Sequence, residues 1–165
     1  MHAQRDIRFL VDRTAGRLAR WLRVLGFDVE YAATGGSAAI ARLARQSGRK
    51  VITRNRDLAE RLGAGSLLLG SEHLPDQLKQ VVQHVGAEKC EPFSRCNICN
   101  ARLAAVEKRL VEGRVPEYVY LNNDRFSVCP VCGRYYWQGT HWHRMAAEIE
   151  KIVGGNYHGN RSGRD

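Results

Sequence analysis

The sequence predicts an α/β protein: a parallel-sheet domain, then a small cysteine-bearing module, then a C-terminal helix. Three observations predict it. Over the first 85 residues, short apolar runs alternate with stretches of helical period, and the connections between them are short. The apolar runs carry almost no polar positions, as strands covered on both faces require. From residue 96 to 132, two Cys-x-x-Cys pairs bracket a stretch in which that alternation has stopped.

The elements follow in order. The run Ile7 to Val11 is apolar and ends at Asp12, which reads as a buried strand. Asp12 or Thr14 caps the helix over 15–26, where Leu18, Leu22 and Leu25 recur at helical spacing and Gly26 supplies a stop. Residues 27–32 alternate as a second strand. A second helix over 36–48 puts Ile40, Leu43 and Ala44 on one face. A strand at 50–54, a short helix at 57–63 and a strand at 66–70 come next. A fourth helix over 75–86 has Pro75 in its first turn, where a missing N–H costs nothing. Such alternation calls for right-handed crossovers and a parallel sheet, with strand order unreadable.

Near residue 86 the periodicity ends in "GAEKCEPFSRC". The sequence therefore divides into a first domain over 1–88, a module over 89–153 and a tail over 154–165. The module has strand-like pieces at 117–121 and 125–129 and a helix at 143–153. The Gly-rich polar tail is expected to be disordered.

The chain has five cysteines and opens without the long apolar segment of a secretory signal. Such usage points to metal rather than disulfides. Cys96, Cys99, Cys129 and Cys132 form two knuckles that together offer four thiolates to one tetrahedral zinc ion. Four thiolates leave no open position, so the expected zinc is structural. Cys90 reads as a bystander. His141 and His143 are surplus to the four ligands and suit packing or RNA contact. Tyr135, Tyr136, Trp137 and Trp142 lie beside Arg134 and Arg144; they either stack on bases or cover the zinc knuckle.

Lys and Arg number 26 against 17 acids, a formal charge of +9. Most of the cations are Arg, which suits bidentate phosphate contact, and nucleic acid is the expected polyanion. No run approaches the roughly 20 apolar residues that span a bilayer, so a soluble cytoplasmic protein is expected.

In open α/β sheets ligands sit at the carboxyl ends of strands. Asp12 ends the first strand, Asn55 and Asp57 follow the third, and Ser71, Glu72 and Asp76 follow the fourth. Convergent carboxylates there would hold Mg²⁺ or Mn²⁺ against a phosphodiester; equally, Asp at a strand end is a plain helix cap. Arg13, Arg17 and Arg20 share a helix face opposite the leucines, beginning beside Asp12. They rim the same mouth, or form an ordinary solvated face.

"FLVDRTAGRLARWLRVLGFDVEY", "GRKVITRNRDL", "CNIC" and "CPVCGRYYWQGTHWHRM" resemble, in that order, the PIN-like ribonuclease family named for the C-terminal domain of the Mut-seven exonucleases. The resemblance covers roughly residues 7–150. It implies a PIN-like α/β domain fused to a zinc ribbon, with metal-dependent cleavage of RNA. It places Asp12 at the family's first catalytic aspartate. It also exposes departures: Asn55 stands where the family usually has aspartate, and "TGGSAAIARLA" lacks the acids relatives carry at the start of the second helix. Asp57 could substitute.

Two readings stay open. In one, Asp12, Asn55 and Asp57 hold Mg²⁺ or Mn²⁺ in a partly depleted site, while Arg13, Arg17, Arg20, Arg54, Arg56, Trp137 and His141 grip RNA. In the other, cleavage has lapsed and an RNA-binding or ribonucleoprotein-associated module remains. A protein-binding zinc ribbon is the third and weakest.

Overall fold

A computed structural model describes residues 7–154. The tail expected from 154 onward lies, beyond Gly154, outside the described residues.

Four parallel strands form the main sheet: β1 (Arg8–Asp12), β2 (Asp28–Ala32), β3 (Lys50–Thr53) and β4 (Ser66–Leu68), in the order β2-β1-β3-β4. The alternating burial of a pleated strand sorts their side chains into two cores. Phe9, Val11, Val29 and Ile52 face one side, where they pack with α1 (Gly16–Val24) and α4 (Leu74–Val85). Leu10 and Val51 face the other, where they meet Ile40, Ala41 and Ala44 of α2 (Ser37–Ser47) and Leu58 of α3 (Arg56–Leu62). Both faces are covered, which is why the strands read as continuous apolar runs.

The second module is a three-stranded antiparallel sheet in the order β5-β6-β7, built from β5 (Ala104–Val106), β6 (Phe126–Val128) and β7 (Tyr135–Trp137). Its core is small: Val111, Val119 and Phe126, with Val106, Val115, Tyr135 and Trp137 packed on them. The strand expected at 117–121 is instead a short helix, α5 (Glu117–Asn122). Pro116 explains the difference. Its carbonyl accepts from the N–H groups of both Val119 and Tyr120, closing a helical turn that overrides the β-preference of Tyr and Val.

The terminal helix α6 (Thr140–Val153) starts three residues before the predicted 143. Its Ile149 and Val153 lie in the core of the main sheet, among the residues of α1 and α4. Trp142 stacks on Phe93 with ring centroids 4.6 Å apart. The ribbon is thus an excursion between two segments that pack on one core. No helix among the described residues is long and apolar enough to cross a membrane.

Candidate active site and metal centre

The chain leaves β1 to one side for β2 and later returns to the other side for β3, so the switch point lies between the carboxyl ends of β1 and β3. Asp12 sits there, 2 % exposed. Its Oδ2 accepts from the Thr53 hydroxyl at 2.7 Å. Its Oδ1 accepts from the Thr14 backbone N–H at 3.0 Å and from the Thr14 hydroxyl. The two threonines are held in turn: the Arg54 N–H donates to Thr14 Oγ1 and the Asn55 N–H to Thr53 Oγ1, each at 2.9 Å. A buried carboxylate without such donors would be costly. Three bonds leave about one of its four lone-pair positions for a ligand.

The remaining predicted residues are placed differently. The Asn55 carbonyl oxygen accepts from the Leu58 N–H at 3.2 Å, capping α3, and its amide lies 3.4 Å from Ser37 Oγ. Asp57 is exposed in the first turn of α3, the usual place for an acid beside a helix N-terminus. Ser71 donates to Asp76 Oδ2 at 2.9 Å, and Glu72 pairs with Arg54. Among the described residues, no group of three acids lies close enough to hold an ion. Among the described residues Asp12 is the one buried carboxylate here, so it is the residue that could hold a divalent ion, with water and phosphate left to complete the shell.

Arg13, Arg17, Arg20, Arg54 and Arg56 are all exposed. Only Arg54 among them makes an ion pair with another described residue, and its partner Glu72 is 78 % exposed, so that pair is weak and readily exchanged. Cations are therefore available around a single buried acid.

Cys96, Cys99, Cys129 and Cys132 bring their sulfurs within 4.8 Å of one another. Cys96 and Cys132 are 3.8 Å apart, which is the sulfur–sulfur edge of a tetrahedron with Zn–S bonds of about 2.3 Å. The two knuckles repeat one backbone pattern. Asn100 N–H donates to Cys96 O, as Gly133 N–H does to Cys129 O, both at 2.9 Å. Asn100 and Gly133 have φ of 67° and 71°, the left-handed turn each knuckle requires. Inward N–H groups of Cys99 and Cys132 point at Cys96 Sγ and Cys129 Sγ. Burial pushes the Cys96 thiol up, but the Cys99 N–H and the Tyr136 hydroxyl favour its anion more, and it settles at about 6. The thiols fit zinc, whose binding displaces their protons. Cys90 is buried apart from them, and burial, then Glu88, pushes it up to about 11, an inert thiol.

The first knuckle is fastened to the sheet. Asn100 Oδ1 accepts from Val29 N–H at 2.9 Å, and its amide donates to Asp28 Oδ1 at 2.7 Å. Arg23 donates to Val29 O at 2.9 Å and Ile98 O at 2.7 Å. Burial lowers the Arg23 pKa, with the neighbouring Arg20 adding to the shift against the pull of the knuckle thiols. Trp137 is half-buried on the ribbon core and borders an open groove of about 670 Å³ that also meets Arg114 and Arg134. His141 is exposed in the first turn of α6.

Thr14, Thr53, Arg23 and Asn100 were not legible as site residues. Thr14 read only as a helix cap and Thr53 as a strand residue whose partner is 41 positions away; Arg23 and Asn100 act through partners more than 70 positions away.

A search of curated proteins and of solved structures found no match to the chain. A family model does match, described as the Mut7-C RNAse domain, over residues 7–149. That span takes in the β1–β3 switch point, both cysteine knuckles and the start of the returning helix: the chain belongs to the Mut7-C RNAse domain family.

Proposed function

We propose that this protein is a ribonuclease that acts on RNA phosphodiesters at the β1–β3 switch point, with Asp12 as its central acid. The observation that carries the reading is the buried Asp12 carboxylate, oriented by three hydrogen bonds and surrounded by exposed arginines. Asp12 would hold Mg²⁺ or Mn²⁺, which would supply charge neutralisation at the phosphodiester and an activated water. Thr14 and Thr53 hold the carboxylate in one orientation. Asp57 lies nearest in sequence to a second acid position, while Asn55 serves α3 as its cap. Arg13, Arg17, Arg20 and Arg56, with Arg54 released from Glu72, hold the RNA backbone. Zinc at the four cysteines stays structural.

A second reading is favoured by one specific observation: the Asn55 oxygen is committed to Leu58, and no acid trio lies among the described residues. On that reading the molecule binds RNA, alone or within a ribonucleoprotein, without cutting it.

The test is cleavage of labelled single-stranded and structured RNA by zinc-loaded protein with Mg²⁺ or Mn²⁺, beside Asp12→Ala. The expected outcome is metal-dependent cleavage reduced at least about 100-fold in the variant, the scale of losing an essential group. Equal cleavage by both proteins excludes Asp12 as the centre. Salt-sensitive binding without cleavage supports the second reading.

A further inference from the structure

A second cleft lies on the edge of the main sheet, between α1, the end of β2 and the first knuckle. Its volume is about 280 Å³, and its lining is Gly16, Ala19, Arg20, Arg23, Tyr31 and Ile98. Tyr31 and Ile98 are 44 % and 37 % exposed, large apolar groups of the lining left open to solvent. Two small residues of α1, Gly16 and Ala19, belong to the lining. Gly16 makes room for the ring: a Cβ on it would come within 2.8 Å of the Tyr31 hydroxyl and push that side chain aside. Arg23 is held in place by its Nε on Val29 O and its Nη1 on Ile98 O, so it shapes the cleft. Arg20 is exposed and makes no ion pair with another described residue. It stands one helical turn from Arg23, an uncompensated cation beside another. The cleft therefore offers an exposed aromatic ring, an exposed aliphatic side chain and the exposed Arg20 guanidinium, the complement of a single base joined to a phosphate.

Its place in the sheet connects it to the switch point. Tyr31 pairs with Val11 and Ala32 with Asp12. Strand spacing and rise then put the Tyr31 Cα about 6 Å from the Asp12 Cα, but on opposite faces of the sheet: Tyr31 shares the face of Val11 and α1, Asp12 that of Leu10, so a strand reaching both passes over the carboxyl edge.

We propose that this cleft is a nucleobase subsite for single-stranded RNA, in which Tyr31 stacks on one base and Arg20 takes the adjoining phosphate. The proposal rests on the RNA-directed reading above and holds whether or not the strand is cut. Duplex RNA, with its bases stacked on one another, cannot fill the cleft, so the subsite selects unpaired strands.

The test uses the full zinc-loaded chain in metal-free buffer, with a short fluorescein-labelled single-stranded RNA read by anisotropy and the same RNA carrying 2-aminopurine read by quenching. Tyr31→Ala is expected to weaken binding roughly 5- to 150-fold and abolish the quenching, the effect of losing one aromatic stack. Tyr31→Phe is expected to bind like the wild type. Gly16→Ala, which displaces the ring without removing it, is expected to fall between them and checks that loss in Tyr31→Ala is not misfolding. Arg20→Gln is expected to weaken binding and to lower the salt slope by about 0.7, one phosphate contact. Tight binding with Tyr31→Ala indistinguishable from wild type overturns the subsite while leaving the ribonuclease reading intact. Absence of Asp12-dependent cleavage, with the Tyr31 effect present, overturns the ribonuclease reading and keeps the subsite. No RNA binding overturns both. Displacement of the RNA by micromolar nucleoside monophosphate would assign the cleft to a free nucleotide and overturn the strand subsite.

Discussion

Asp12 illustrates how much one position can reveal before its neighbours are known. An acid ending an apolar run is legible in sequence; the hydroxyls that orient it are not, because Thr53 is 41 positions away and reads as a strand residue. Thr53→Val keeps the shape, removes the bond to Asp12 Oδ2 and leaves the Asn55 N–H without its acceptor. Its cost is expected to be about 1–3 kcal/mol, measured by urea unfolding. A change under a few tenths would mean water replaces the hydroxyl. Asp28 carries a pH signature. Burial raises its pKa, but the Arg49 and Asn100 hydrogen bonds outweigh burial and leave it below 3.8. A lowered folded value means the stabilisation is complete above pH 3.8 and fades as pH falls through the folded value. The melting-temperature gap between wild type and Asp28→Asn should therefore be constant near neutrality and narrow only below about pH 4. A gap that widens on acidification contradicts the assignment.

Elements divide by how much of their identity is local. The period of Leu18, Leu22 and Leu25 made α1 legible, and all three side chains are fully buried. Leu22→Ala should cost about 2–5 kcal/mol by chemical unfolding. The three-residue strands β5 and β7 carry too few positions to show a period, and Pro116 turned an apparent strand into α5. β2 shows what sequence could not: an edge strand closed jointly by the first knuckle and by a side chain of α1. Its outward Val29 N–H and C=O are taken by Asn100 and Arg23, which removes a site for unwanted strand pairing. Asn100→Gly suits the left-handed turn but lacks the amide. We expect zinc affinity to hold while the Val29 amide exchanges with solvent at least about tenfold faster, since opening loses roughly one hydrogen bond. Unchanged exchange would place the closure elsewhere.

The whole molecule is a sheet with a core on each face and a four-cysteine excursion fastened to its edge. Because α6 returns to the core after the ribbon, zinc removal should unfold β5, β6 and β7 while Ile149 and Val153 stay packed. The tryptophans report this separately: Trp137 sits on the ribbon core, Trp21 and Trp142 against the main core or its Phe93 neighbour. Chelation should change the emission of the wild type and leave Trp137→Phe nearly unchanged. Equal changes in both would mean that the ribbon and sheet unfold together. The switch-point location was legible as a rule about strand ends, whereas strand order and the return of α6 depend on contacts too distant to read along the chain. The twin knuckles carry a last consequence. One must keep a left-handed residue and also grip the sheet; the other needs only the turn, and its Val131 is 72 % exposed. Selection should therefore treat the two loops unequally. Across relatives, the residue at 100 should change in step with those at 23 and 28, while the tip around 131 drifts freely around an unchanging glycine at 133.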